Sequence, residues 1–172
     1  HASLLPNYRG AAPINWAIIN GETKTGVTSF FIDEKIDTGA MILSEEIEIS
    51  TTENAGELHD KLMILGSDVV VKTLSLIESG KVTTTIQKDN AENKTAYKLN
   101  KENCKIDWSK NGKEIHNVIR GLSPYPCAWT FFIDGENEWN VKIYDALFVE
   151  EEHNYLVGRI HSSKKELKVA VT

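Results

Sequence analysis

Two residues have types and settings that could carry chemistry together, His1 and Asp37. Each stands in a Gly- or Pro-bearing segment beside a β-rich run, where scaffolds present reactive groups. An imidazole and a carboxylate make an acid–base pair. The carboxylate favours the imidazolium form, and an imidazolium is a strong hydrogen-bond donor. By pattern alone, a histidine followed much later by an Asp-Thr-Gly turn also has a purely structural reading. The remaining candidates offer less. His59 falls one position off an apolar helical stripe and reads as a boundary residue. Cys104 and Cys127 form no ligand cluster with nearby histidines, so no metal is expected. So few cysteines in a chain of this length fit a reducing compartment.

The elements that must position the pair follow from periodicity. A short helix is expected over Ala11–Asn20, with Pro13 in its first turn, Ile14, Ala17 and Ile18 on one face and Gly21 as its stop. Gly26–Ile32 is rich in β-branched and aromatic residues and reads as a buried strand. The polar loop 33–39 ends on the turn residues Asp37, Thr38 and Gly39. A strand resumes over Met41–Ile49, where Ile47 and Ile49 alternate with Glu46 and Glu48. A long helix is expected from about Ala55 to Ser79. Asn54 and Glu57 form its capping box, and Ala55, Leu58, Leu62, Leu65, Val69, Leu76 and Ile77 form its apolar stripe. Its role is core packing, and Gly80 ends it.

Composition changes after Gly80. Residues 81–113 are polar and rich in lysine, and read as a linker with one short strand near Ile86. A second amphipathic helix is expected over Gly112–Leu122, ended by Ser123-Pro124-Tyr125-Pro126. Strands then follow at 129–133, 139–144, 156–160 and 167–171, with a turn at Asp134-Gly135, which points to a small barrel or sandwich. The organisation expected is therefore 1–80, a linker and junction helix over 81–126, and a β-rich unit over 127–172.

With 41% hydrophobic residues, the 172-residue chain can build one sizeable core or two small ones. A net charge of −6 argues against a dedicated nucleic-acid coat, though a local basic patch is compatible with it. No run approaches the roughly 18 apolar residues of a membrane helix, so no membrane partner is expected.

Longer motifs add to this reading. The segment His1-Ala2-Ser3-Leu4-Leu5-Pro6-Asn7-Tyr8-Arg9-Gly10-Ala11-Ala12-Pro13-Ile14 resembles the His-x-Ser-Leu-Leu-Pro-x-x-Arg-Gly-x-x-Pro signature of folate-dependent formyltransferases. Gly26-Val27-Thr28 followed by Ile36-Asp37-Thr38-Gly39 resembles the second signature of that family, at a matching separation. Ala96-Tyr97-Lys98-Leu99, Ile106-Asp107-Trp108 and Arg120-Gly121-Leu122-Ser123-Pro124-Tyr125-Pro126 are similar to its methionyl-tRNA branch.

The resemblance implies an α/β fold: the second half of a formyltransferase mixed-sheet domain, followed by a partial OB-like β-barrel that assists tRNA binding. It implies formyl transfer from 10-formyltetrahydrofolate to initiator methionyl-tRNA by a cytoplasmic, metal-free, monomeric enzyme. His1 and Asp37 would be catalytic. The folate would lie against Ile32, Asp33, Glu34, Lys35, Ile36, Asp37, Thr38 and Gly39. An Asn two positions before His1 and an N-terminal nucleotide-fold half are also implied, and neither is in this sequence. The expectation is a piece of a longer enzyme, inactive alone and prone to self-associate.

Two alternatives stay open. The same motifs serve formyltransferases of amino-sugar nucleotides and of glycinamide ribonucleotide, although the β-rich segment after Pro126 speaks against the glycinamide enzyme. A non-catalytic tRNA-binding module would need a basic face. Against that stand Glu92, Glu102, Asp107 and Glu114 among the linker lysines, and Glu150, Glu151 and Glu152 beyond.

Overall fold

Strand pairing in the computed structural model, which describes residues 1–172, is antiparallel wherever it is extensive. Arg9–Gly10 forms a two-residue strand (β1), and Pro13–Ile19 forms helix α1 with proline at its start. Lys24–Phe30 (β2) pairs with Met41–Glu48 (β3), from Lys24↔Glu48 to Phe30↔Met41, with a register irregularity at Ser29/Phe30. The expected strand through Ile32 therefore stops two residues early. Phe31 donates to the Ala40 carbonyl at 3.0 Å, and the chain turns outward, leaving Ile32 90% exposed.

Helix α2 runs over Ala55–Glu78 and begins on the expected capping box, with Asn54 and Glu57 each bonding the backbone of the other. Leu58, Leu62 and Val69 are buried against β2 and α1, and burial of each such side chain stabilises by about 1.5–3 kcal/mol. The buried stripe ends at Thr73, so Ile77 at the end of the expected stripe is exposed. The outer side of α2 also carries exposed Met63, Ile64, Val71 and Leu74.

Residues 1–80, expected as the second half of a mixed-sheet domain, contribute only part of a sheet. β2 and β3 make a two-stranded antiparallel ribbon, and the parallel pairing is confined to β1 with Thr95–Ala96 (β4). A parallel partner for β2 requires a further strand joined by a crossover, and residues 1–80 contain no other long β-rich run. On the side of β2 away from β3, His1 exchanges both backbone hydrogen bonds with Thr28, each 2.9 Å.

Residues 81–111 have little regular structure, as a linker would, yet they are strapped to the first part of the chain. Thr85 and Met41 exchange backbone bonds of 2.8 and 2.9 Å, and Tyr8 and Ala11 donate to the carbonyls of Lys94 and Ala96. Helix α3, Gly112–Leu122, follows a second capping box built on Asn111 and Glu114. Its Arg120, 7% exposed, donates to the carbonyls of Ser50 and Glu53 and so fixes α3 to the entry of α2.

Ala128–Asp134 (β5) and Asn137–Ile143 (β6) form a hairpin, as do Ile160–Ser162 (β7) and Leu167–Val169 (β8). The strand expected from 156 begins only at Ile160. Gly158 at φ +83° and a bond from Arg159 to the Leu156 carbonyl make a turn there. The two hairpins remain separate two-stranded sheets. A second core of Cys104, Ile106, Ile115, Ile119, Leu122 and Ala128 joins the strap, α3 and β5. No helix is long and apolar enough to cross a membrane.

Candidate active site

His1 is held by its own segment folding back on itself. Ser3, fully buried, donates through Oγ to the Asn7 carbonyl at 2.7 Å, and Thr28 Oγ1 bridges the Ser3 carbonyl and the Leu5 amide. The chain then passes through Tyr8 at φ +61°, a left-handed conformation held by a buried side chain. Tyr8 donates its hydroxyl to Glu22 at 2.6 Å and accepts from Asn20, while Lys94 pairs with the same carboxylate. Burial and then the Glu22 carboxylate push the Tyr8 phenol upward, so it stays protonated as a donor. Fixed in this way, the Tyr8 carbonyl accepts from His1 Nε2 at 2.9 Å.

Asp37 arrives from the far end of the loop after β2. Its backbone is also left-handed, at φ +57°. Its Oδ2 accepts the Gly10 amide at 2.9 Å and lies 3.5 Å from His1 Nδ1. That separation is ion-pair range, longer than a tight N–H···O bond. Gly10 approaches the strap so closely that a Cβ there would sit 2.3 Å from the Ala96 carbonyl oxygen.

The protonation of the ring follows from its partners. A carbonyl only accepts, so Nε2 carries a hydrogen. An unprotonated Nδ1 would point its lone pair toward a carboxylate, whereas the imidazolium gives both nitrogens a complementary partner. The His1 and Asp37 side chains are 9% and 19% exposed, sheltered enough for the pair to be weakly screened. The structure therefore brings together the two residues singled out by type, with His1 Nδ1 facing the Asp37 carboxylate at 3.5 Å.

The remaining loop residues behave differently. Ile32, Asp33, Glu34, Lys35 and Ile36 stand out in solvent, Thr38 is half-buried and Gly39 is buried. Asp33 Oδ1 accepts from Thr38 Oγ1 at 2.6 Å and from the Lys35 amide at 3.0 Å, which together keep this carboxyl below its ordinary range. Sequence reasoning missed three contributors: the Tyr8 carbonyl, the Gly10 amide as a ligand of Asp37, and Gln87, which bonds the carbonyls of Asp37 and Gly39. Gly10 and Tyr8 lie within the first motif. Gln87 is one amide in a polar stretch and carried no signal. No group of three or more His, Cys, Asp or Glu side chains is arranged to hold a metal.

An imidazole beside a carboxylate suits acyl-group transfer, where a donor must meet a developing oxyanion and a proton must be removed. The chain belongs to the formyltransferase family: that family's Formyl transferase domain matches residues 1–74, and its Formyl transferase, C-terminal domain matches residues 98–172. It is 68% identical over 171 residues to the methionyl-tRNA formyltransferase of Flavobacterium johnsoniae, across 99% of this chain and 54% of that protein. It is 48% identical over 172 residues to the methionyl-tRNA formyltransferase of Alkaliphilus oremlandii, across 100% of this chain and 54% of that protein. The chain spans about half the length of the curated relatives it matches.

Among solved structures, WlaRD, a sugar 3N-formyl transferase in the presence of dTDP and 5-N-formyl-THF, aligns with a TM-score of 0.76 and 25% identity over 99% of this chain and 60% of its own. The N-formyltransferase from Helicobacter canadensis, in complex with folinic acid and dTDP-3-aminofucose, has the same fold. Its TM-score is 0.74 at 23% identity, over 99% of this chain and 61% of its own.

Proposed function

We propose that the full-length protein containing these residues transfers the formyl group of 10-formyltetrahydrofolate to the amino group of initiator methionyl-tRNA, with His1 and Asp37 as catalytic residues. The observation that carries this reading is the His1–Asp37 pair at 3.5 Å, buttressed by the Tyr8 carbonyl and the Gly10 amide, in a chain 68% identical to a methionyl-tRNA formyltransferase. Met-tRNA is favoured over an amino-sugar nucleotide because the sugar enzymes of known structure resemble this chain far less in sequence, at 23–25% identity.

In the reaction, the methionyl amine nitrogen bonds to the formyl carbon, and the bond from that carbon to folate N10 breaks. The amine loses one proton and N10 gains one, giving formylmethionyl-tRNA and tetrahydrofolate. His1 Nε2 is committed to the Tyr8 carbonyl, so Nδ1, loosely paired at 3.5 Å, is the donor offered to the formyl oxygen as charge develops on it. Asp37 Oδ2 holds the Gly10 amide, which leaves Oδ1 to take the amine proton through water. The arm Ile32–Gly39, exposed as far as Ile36, supplies backbone groups for the pterin edge of the donor, with Asp33 holding its turn through Thr38 and Lys35.

In the same reading, residues 127–172 begin a small β-barrel that helps hold the tRNA. One face of the β5–β6 hairpin supports this role. Trp129 and Phe131 stand edge to face at 5.2 Å between centroids, with Lys101 and Lys105 within 5.5 Å of the Trp129 ring. Lys142 lies opposite Trp129 in the ladder. Aromatic rings among lysines suit a sugar–phosphate backbone with stacked bases. The rest of the protein would cover the apolar outer side of α2, and the whole would act as a cytoplasmic monomer.

The test is acceptor choice by the full-length enzyme, with 10-formyltetrahydrofolate as donor. Formylation of methionyl-tRNA at least a hundredfold above that of amino-sugar nucleotides is expected, together with loss of turnover in His1→Ala. Preference for a sugar nucleotide, or full turnover without His1, would overturn the reading.

A further inference from the structure

Gln87 is a buried polar side chain whose hydrogen bonds all reach the segments that carry the catalytic pair. It is 8% exposed, and its amide is bonded in three directions. Nε2 donates to the carbonyls of Asp37 at 2.9 Å and Gly39 at 2.8 Å, and Oε1 accepts from Arg9 Nε at 2.9 Å. Carbonyls only accept and a guanidinium only donates, so the partners fix which way the amide faces. These bonds join three segments: the strap, the catalytic loop and the segment that begins at His1. The strap is itself pinned two residues earlier, where Thr85 pairs with Met41.

The two carbonyls held by Gln87 bracket the turn that presents Asp37. A non-glycine residue at φ +57° costs about 1–3 kcal/mol and persists only where its surroundings over-determine it. Gly39 adds a second constraint, because the Phe31 carbonyl oxygen would lie 1.6 Å from a Cβ there. With both carbonyls bonded, neither the 37–38 nor the 39–40 peptide unit can rotate without stranding a buried polar group. The Asp37 carboxylate is carried on this turn, 3.5 Å from His1 Nδ1.

We propose that Gln87 is a positioning residue, holding the Asp37 turn so that its carboxylate stays beside the His1 imidazole. The kinetic part of this inference rests on the formyl-transfer reading. The structural part does not.

Two variants of the full-length protein test it. Gln87→Glu keeps the shape and the acceptor for Arg9 but removes both donors and turns a carboxylate oxygen toward the two carbonyls. Gln87→Ala removes all three bonds and adds no charge. Both should lower kcat by about a hundredfold, the cost of roughly 1 Å of misplacement, with little change in KM for methionyl-tRNA. In Gln87→Ala the alkaline limb of the kcat profile should move to lower pH, because an imidazolium without its carboxylate loses its proton sooner. A merely structural role would lower stability without moving that limb. Asp89→Ala, which removes an exposed partner of Arg9, should behave as the parent.

Crystal structures of the variants give a readout independent of turnover, with the carboxylate displaced from its 3.5 Å position expected. Parent values of kcat, pH profile and His1–Asp37 separation in either variant would overturn the inference. Should the parent itself fail to formylate methionyl-tRNA, the functional reading falls, and the crystallographic separation alone decides on Gln87.

Discussion

Replacing Asp37 with Asn in the full-length enzyme separates the charge of this residue from its structural role. Asn tolerates the left-handed backbone that Asp37 adopts at φ +57°, and its amide oxygen can still accept the Gly10 N–H. The turn should therefore keep its shape. The negative charge 3.5 Å from His1 Nδ1 is lost. Coulomb's law puts that charge at about 5 kcal/mol for an effective dielectric near 20 and about 1 kcal/mol in water. With side chains 9% and 19% exposed, the pair sits between these limits. A loss of about 2–3 kcal/mol in transition-state stabilisation is expected, close to a hundredfold in kcat. The working form is the imidazolium, so the deficit should widen as pH rises. Single-turnover formylation at saturating donor and methionyl-tRNA, run from pH 6 to 9, would measure both effects. A kcat within threefold of the parent, or a deficit that is constant with pH, would refute this electrostatic account.

Three further outcomes follow from the geometry. Gly39→Ala would place a methyl 1.6 Å from the Phe31 carbonyl oxygen, so the turn must move, and kcat/KM for the folate donor should fall on the order of 100-fold while the overall fold melts normally. Lys105→Ala and Trp129→Ala should each raise KM for methionyl-tRNA without changing single-turnover rates at saturation. The lysine variant should also flatten the dependence of log KM on log salt by roughly 0.7–1, one phosphate contact, and an unchanged slope would exclude that contact. At Glu22, burial disfavours the carboxylate, but hydrogen bonds from Lys94 and Tyr8 outweigh it and hold the group below its ordinary 4.5. A carboxylate depressed in this way stabilises the fold above its unfolded titration and loses that contribution as pH falls through the folded one. Glu22→Gln should therefore unfold at lower temperature than the parent at pH 7, with the gap closing under acid conditions. Parallel melting curves at pH 7 would contradict it.

Most local signals are legible in the sequence, and contacts between distant segments are not. The capping box of Asn54 with Glu57 lies within four residues and was legible as a pattern. So was the Asp134-Gly135 turn, where Gly135 adopts φ +59°. Leu156 to Ile160 misled because apolar residues there suggested a strand, while Gly158 bends the chain. The His1–Asp37 pair was visible through motif resemblance, since periodicity alone cannot join residues 36 positions apart. Gln87 was illegible for a related reason. Its partners lie 48 to 78 positions away, and a single amide among lysines gives no sign of which backbone groups it will reach.

The charge state of the His1 ring is open to direct observation by 15N NMR of the selectively labelled full-length protein at neutral pH. Two protonated ring nitrogens are expected in the parent, with Nδ1 losing its proton at lower pH in Asp37→Asn. A neutral ring with a bare Nδ1 in the parent would contradict the charged-donor account, whatever the activity of the enzyme.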